Sequence, residues 1–324
     1  MGPILSRLLV VAFWVGLGLA VAGAVALERW QLKRREVATT PVGLRLPELA
    51  SAVERPTVDR PAAGRSREAV RLPIAQEPAR SYTVEKDVSY GSSNRLKLDV
   101  YVPTQPRSDG KTVVMVHGGG WSTGSKEDFT FLGEALASRG ITVVIPNYRL
   151  FPTARFPEFV EDCAWATRWA ANRFGADKLF LMGHSAGAHI ALMLAANSDY
   201  LATAGVDRMK LRGVIGLSGA YDTLALSSPE TRVVFAGGSN PNVWPITFAK
   251  RPLPPMLLVH GTGDSTVDPA NSEHLASAWR KAGGEAALKL YPGVNHLDVA
   301  LAIADVLPIK APTRDDVLAF IEAH

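Results

Sequence analysis

Ser185 stands at the centre of the pentapeptide Gly-His-Ser-Ala-Gly, Gly183 to Gly187. The apolar run Lys178–Met182 before it reads as a buried strand, and Ala188–Ala196 after it reads as a helix. A serine at such a corner, flanked by glycines that let strand and helix approach, is a nucleophile elbow. Its hydroxyl is a weak nucleophile until a base removes the proton. The chain has seven histidines. His296, in the loop Tyr291–Asp298 after the strand-like Ala286–Leu290, lies downstream of the serine and is the candidate base. His184 belongs to the elbow pentapeptide and His117 to a glycine-rich motif upstream, both expected in supporting roles, while His189 falls on the helix after the elbow. His260 ends a strand and reads as packed and hydrogen-bonded. His274 and His324 are expected in solvent.

The base needs a carboxylate to orient its ring and stabilise its cation. Pro255–Pro269 offers two. Asp264 lies just past the strand Met256–Val259, at the sheet end where catalytic groups gather. Asp268 precedes Pro269 and a helical run, the arrangement of a helix cap. Asp264 is therefore chosen. Attack on a carbonyl also builds negative charge that fixed N–H donors must hold. His-Gly-Gly-Gly-Trp, His117 to Trp121, follows the strand Thr112–Val116 and supplies flexible backbone for this. Gly118 and Gly119 are the expected donors, with the amide of Ala186 as a third.

These three motifs, in this order, resemble the α/β-hydrolase fold. Asn147–Leu150 (Asn-Tyr-Arg-Leu) followed by Phe156–Asp162 resembles the hormone-sensitive-lipase-like esterases. Gly183–His189 and the loop His260–Val267 are most similar to the BD-FAE-like carboxylesterase and kynurenine formamidase branch. The resemblance covers about Tyr82 to His324. It implies a serine carboxylic-ester hydrolase working through an acyl-enzyme, with Ser185, Asp264 and His296 as triad and the glycine loop as oxyanion hole. The alternatives are an arylformamidase-type amide hydrolase and a non-catalytic, membrane-tethered binding protein. The carry-over departs from the family at Asp268, where many relatives have an uncharged residue, and throughout the first eighty residues.

Residues 1–80 carry 12 Lys/Arg against 7 Asp/Glu, so the remaining 23 and 24 nearly balance and give no electrostatic case for nucleic acid. Leu8–Leu27 is twenty residues without a charge, long enough to cross a bilayer. Arg29, Lys33, Arg34 and Arg35 follow it, which favours a retained single-pass anchor over residues 1–36. Ala24-Val25-Ala26 keeps a cleaved signal, hence a secreted or periplasmic product, as the other reading. Residues 37–80, rich in proline and arginine, read as a linker. No metal or organic cofactor is implied, and the expected partner is a small-molecule ester. The single Cys163 cannot form an internal disulfide and reads as a buried small hydrophobe.

Residues 81–324 are expected to form the catalytic domain. An antiparallel pair, Ser81–Tyr90 and Arg95–Val102, opens it. Strands and helices then alternate, which predicts an α/β fold: a mostly parallel central sheet covered by helices on both faces. A helix is expected over Glu127–Arg139 and another over Pro157–Phe174. Residues 219–251 break the alternation and are expected to form a short cap, limiting the substrate to small or medium acyl groups. Trp121, Tyr148 and Trp244 are candidate pocket walls. Arg149 is expected to pair with a carboxylate such as Asp162.

Overall fold

The computed structural model describes residues 81–237, 240–304, 309 and 311–324. The apolar run Leu8–Leu27, the segment 1–36 and the linker 37–80 lie outside the described residues. Among the described residues no helix is long and apolar enough to cross a membrane.

The strands are β1 (Tyr82–Ser89), β2 (Lys97–Pro103), β3 (Thr112–Val116), β4 (Thr142–Pro146), β5 (Leu179–His184), β6 (Gly213–Leu217), β7 (Met256–Gly261) and β8 (Ala286–Tyr291). They make one eight-stranded sheet in the order β1-β2-β4-β3-β5-β6-β7-β8. β2 is antiparallel to β1 and β4, and all other neighbours are parallel. The helices are α1 (Thr130–Ala137), α2 (Glu158–Phe174), α3 (Ala186–Ala196), α4 (Ser198–Thr203), α5 (Pro229–Val234), α6 (Ala270–Lys281), α7 (Asp298–Leu301) and α8 (Thr313–Ala323).

Every residue of β3 to β7 is buried, as strands covered on both faces require. Successive side chains alternate between two cores. Val114, Val116, Leu179, Leu181 and Leu258 join α2, α3 and α6 on one face. Val113, Met115, Phe180, Met182 and Leu257 join α1, α7 and α8 on the other. α3 is buried on every side, so it has no polar stripe. α2 presents Phe159, Val160, Cys163, Ala166 and Ala170 inward, carries Glu158 and Glu161 in its first turn, and stops at Gly175, whose φ of 97° no β-carbon favours.

The helix expected over Glu127–Arg139 begins instead as a 3₁₀ turn, Lys126–Phe129, before α1 takes over. Tertiary bonds set that start. The Lys126 amide donates to Asn147 Oδ1 at 2.7 Å. Its buried ammonium meets Asp87 at 3.0 Å, Asp99 at 2.9 Å and Glu127 at 2.6 Å. Residues 219–251, expected as a cap, comprise the 3₁₀ turns Thr223–Ser227, Pro241–Val243 and Pro245–Phe248 together with α5.

Candidate active site

Parallel strands bring their C-terminal ends to one edge of the sheet, where ligand sites of such folds gather. The glycine loop follows β3, Ser185 follows β5, Asp264 follows β7 and His296 follows β8. Ser185 has φ 55° and ψ −121°, a strained conformation forced by the sharp turn from β5 into α3. Among residues 179–196 it alone is not buried. The flanking glycines have no room for a side chain. A β-carbon on Gly183 would fall 2.2 Å from the Gly187 carbonyl oxygen, and one on Gly187 would fall 2.1 Å from that of Val116.

His296 Nδ1–H donates to Asp264 Oδ2 at 2.7 Å. The His296 carbonyl accepts from His184 Nε2–H at 2.9 Å, and the two rings lie 4.8 Å apart. His296 is thereby seated against the residue that precedes Ser185. Asn295 shapes its turn, accepting the amides of Leu297 and Asp298 on Oδ1. The loops that carry Asp264 and His296 are in backbone contact. Gly263 N–H donates to the Val294 carbonyl at 3.0 Å, and a β-carbon on Gly261 would sit 2.0 Å from that same oxygen. Two glycines in His260–Asp264 are thus what lets Asp264 reach His296, a signal present in the sequence.

Asp264 is nearly sealed from solvent. Its Oδ1 accepts the amides of Thr266 and Val267 at 2.8 and 2.9 Å. Its Oδ2 accepts His296 and also lies 3.1 Å from His260 Nε2. Burial pushes the carboxyl up, but the hydrogen bonds from His260 and His296 outweigh it and hold the group well below the usual carboxylate range. Asp268 makes a local cap, its Oδ1 accepting the Ala270 amide at 2.9 Å. Only Asp264 meets His296.

Gly118 lies against the elbow: a β-carbon there would be 3.3 Å from Ser185 Cβ. Gly119, Gly120 and Trp121 have φ of 124°, 58° and 59°, a left-handed run that turns the loop back on itself. The segment Asn147–Phe151 secures the loop. Tyr148 stacks on His117 at 4.3 Å and donates its hydroxyl to the His117 carbonyl at 3.1 Å. Arg95 ties Tyr148 O to Gly124 O, at 2.7 and 2.6 Å. Tyr148 therefore lies fully buried in contact with the glycine-loop backbone. Arg149 meets the expected Asp162, with Nη2 to Oδ1 at 2.8 Å.

Trp121 and Trp244 are buried, both ringed against Phe235 at 4.8 and 5.1 Å. His189 joins them to the elbow helix. Its Nδ1 accepts from Trp121 Nε1–H at 3.2 Å, so its Nε2–H donates to the Val243 carbonyl at 2.8 Å. Burial lowers His117 and His189 to about 4 and His184 to about 3, so all three rings are neutral at pH 7. His274, expected in solvent, is half exposed with its Nδ1 2.7 Å from Asp222 Oδ2.

Ser218 escaped the sequence reading. It is buried, has φ 49°, and follows Leu217, the residue of β6 paired with His184. A non-glycine residue in this region is a strain that only tertiary context reveals. Lys126 and its three carboxylates escaped it as well, because the turn after the glycine loop is far along the chain from β1 and β2.

The fold is that of the α/β-hydrolases. Esterase B from Lactobacillus Rhamnosis (HN001) superimposes with a TM-score of 0.64 at 23% identity, over 75% of this chain and 86% of that one. A probable isoprenylcysteine alpha-carbonyl methylesterase of Oryza sativa subsp. japonica is 33% identical over 247 residues, 68% of this chain and 60% of the relative. A kynurenine formamidase of Salmo salar is 34% identical over 145 residues, 44% of this chain and 48% of the relative. The chain thus spans about half to two thirds of the length of the methylesterase and formamidase relatives it matches. The family model described as BD-FAE matches residues 98–279, more than half of the chain. That stretch takes in the glycine loop, the elbow and the acid loop, and by it the chain belongs to the BD-FAE family.

Proposed function

We propose that the protein is a serine carboxylic-ester hydrolase acting on small or medium acyl esters. The observation that carries the reading is the 2.7 Å hydrogen bond from His296 to Asp264, made by a histidine whose main chain rests on His184, the neighbour of the strained Ser185. In this mechanism His296 Nε2 takes the Ser185 hydroxyl proton as the oxygen attacks the ester carbonyl. The amides of Gly118, Gly119 and Ala186 hold the oxyanion. Asp264 stays ionised and stabilises the imidazolium, which then gives its proton to the departing alcohol. Water, activated by the same histidine, releases the acid and restores Ser185. The methylesterase name of the rice relative supports ester cleavage.

A fluorophosphonate probe is expected to label wild type and not Ser185→Ala, and the variant to lose p-nitrophenyl acetate hydrolysis by about a thousandfold or more. Equal labelling of the two proteins refutes the nucleophile. A second reading, formamide hydrolysis, is favoured by the salmon kynurenine formamidase and uses the same residues. The ratio of rates on p-nitrophenyl acetate and N-formylkynurenine separates them. Residues 8–27 complete the proposal as a membrane anchor, which fractionation of the full chain beside one lacking residues 1–36 tests.

A further inference from the structure

We propose that His260 is a positioning residue for the acid, acting on catalysis through Asp264 and not by touching substrate. The inference rests on the hydrolase reading above. His260 is the penultimate residue of β7 and is completely buried. Its Nε2 lies 3.1 Å from Asp264 Oδ2, the oxygen that also receives His296 Nδ1–H at 2.7 Å. One carboxylate oxygen is held between two imidazoles. The tautomer of His260 follows from its partners. Nε2 faces two acceptors, Asp264 Oδ2 and the Val267 carbonyl at 3.0 Å, so it carries the proton. Nδ1 of the neutral ring is then bare and accepts from the buried Ser272 hydroxyl at 2.7 Å. Ser272, on α6, thereby selects the tautomer that makes His260 a donor to the acid.

A histidine kept only for packing needs one acceptor for its N–H, and Val267 provides it. The second contact does something further. With Oδ1 on the amides of Thr266 and Val267, and Oδ2 fixed by two rings, the carboxylate has one orientation. The His260 donor also disperses charge on Oδ2, so Asp264 steadies the His296 imidazolium without binding it too tightly to release its proton. Without that donor the acid depends more heavily on His296, whose cation becomes more stable. Among the described residues, Asp264 bonds the His296 ring and the neutral His184 ring lies 4.8 Å from it. His260 stands across Asp264, and Asp298 is engaged by Asn295 Nδ2 at 2.8 Å.

The test uses the full chain, comparing wild type, His260→Leu, His260→Gln and Ser272→Ala on p-nitrophenyl acetate across pH. H260L is expected to lose about ten- to a hundredfold in kcat with KM within about threefold, and the acid limb of kcat/KM to move up by about half a unit or more. H260Q keeps an N–H near the Nε2 position and is expected to recover most of the loss. S272A is expected to shift the limb the same way by less, and it serves if H260L does not fold. The downfield proton signal of His296 Nδ1–H, identified by its loss in His296→Gln, is expected to shift in H260L and S272A and needs no turnover. An unmoved limb and an unmoved proton signal in these variants overturn the role of His260. Inactive, unlabelled wild type overturns the hydrolase reading, while the proton signal still decides the contact.

Discussion

Asp264 and Asp268 are four residues apart, identical in chemistry and opposite in surroundings. The first is sealed in, accepts from two amides and the His296 imidazole, and has His260 Nε2 3.1 Å away, whereas the second faces solvent and caps α6. Environment, not residue type, makes one of them a partner for His296. Asp264→Asn presents an amide where His296 needs an acceptor and favours the wrong tautomer, so kcat is expected to fall by about ten-thousandfold. Asp268→Asn is expected to leave kcat within about twofold and to cost at most about 1 kcal/mol of stability. Steady-state kinetics and thermal denaturation of the two variants check this, and the reverse ranking would move the acid to Asp268.

The elements are held together where glycine removes the β-carbon. Gly187 lets α3 seat on β3 so closely that a β-carbon would stand 2.1 Å from the Val116 carbonyl and 2.5 Å from that of His117. Both are backbone atoms feeding the glycine loop, so they cannot step aside as a flexible side chain can. Gly187→Ala is expected to cost more than about 3 kcal/mol or to prevent soluble folding, since elbow and loop must separate. Gly205 is the comparison. It has φ 79° but nothing within 4 Å of a built β-carbon, so Gly205→Ala pays only for the left-handed backbone, about 1 kcal/mol. Melting temperatures of the pair measure the difference, and equal shifts would mean that crowding at the elbow is relieved elsewhere.

At the scale of the whole molecule, three neutral buried histidines from three segments, His117, His184 and His189, link folding to pH. Their folded values of about 4, about 3 and about 4 lie below the ordinary 6.5. On acidification the unfolded chain takes up protons that the folded chain refuses. The stability they contribute is complete above about pH 6.5 and drains away as the pH falls toward 4, by at most about 4 kcal/mol per unit for three sites. The melting temperature is expected to drop steeply between pH 6.5 and 4.5 and to change little between 7 and 8. A flat profile through the acidic range would show that these rings are protonated in the fold.

The order of the motifs and the course of the backbone were legible in the sequence because they are encoded by neighbours. β3 has the bounds that its apolar run predicts, β8 runs one residue past its own, and the glycines of the elbow and of His260–Asp264 mark places where only a missing side chain permits the path. Arg149–Asp162 and Asp264–His296 were also expected from the chain, but other meetings of side chains were decided by the tertiary structure alone. Tyr148, a candidate pocket wall by type, lies buried on His117 because β4 pairs with β3 and delivers it there. Lys126 is enclosed by carboxylates from two distant strands and its own turn, and its buried charge delays the expected helix. His260 and Ser272 are unremarkable in the chain, yet they close on Asp264 from strand and helix. Local sequence specifies conformation through steric and periodic rules that act over a few residues. Convergence depends on strand order and helix packing, which are properties of the assembled sheet.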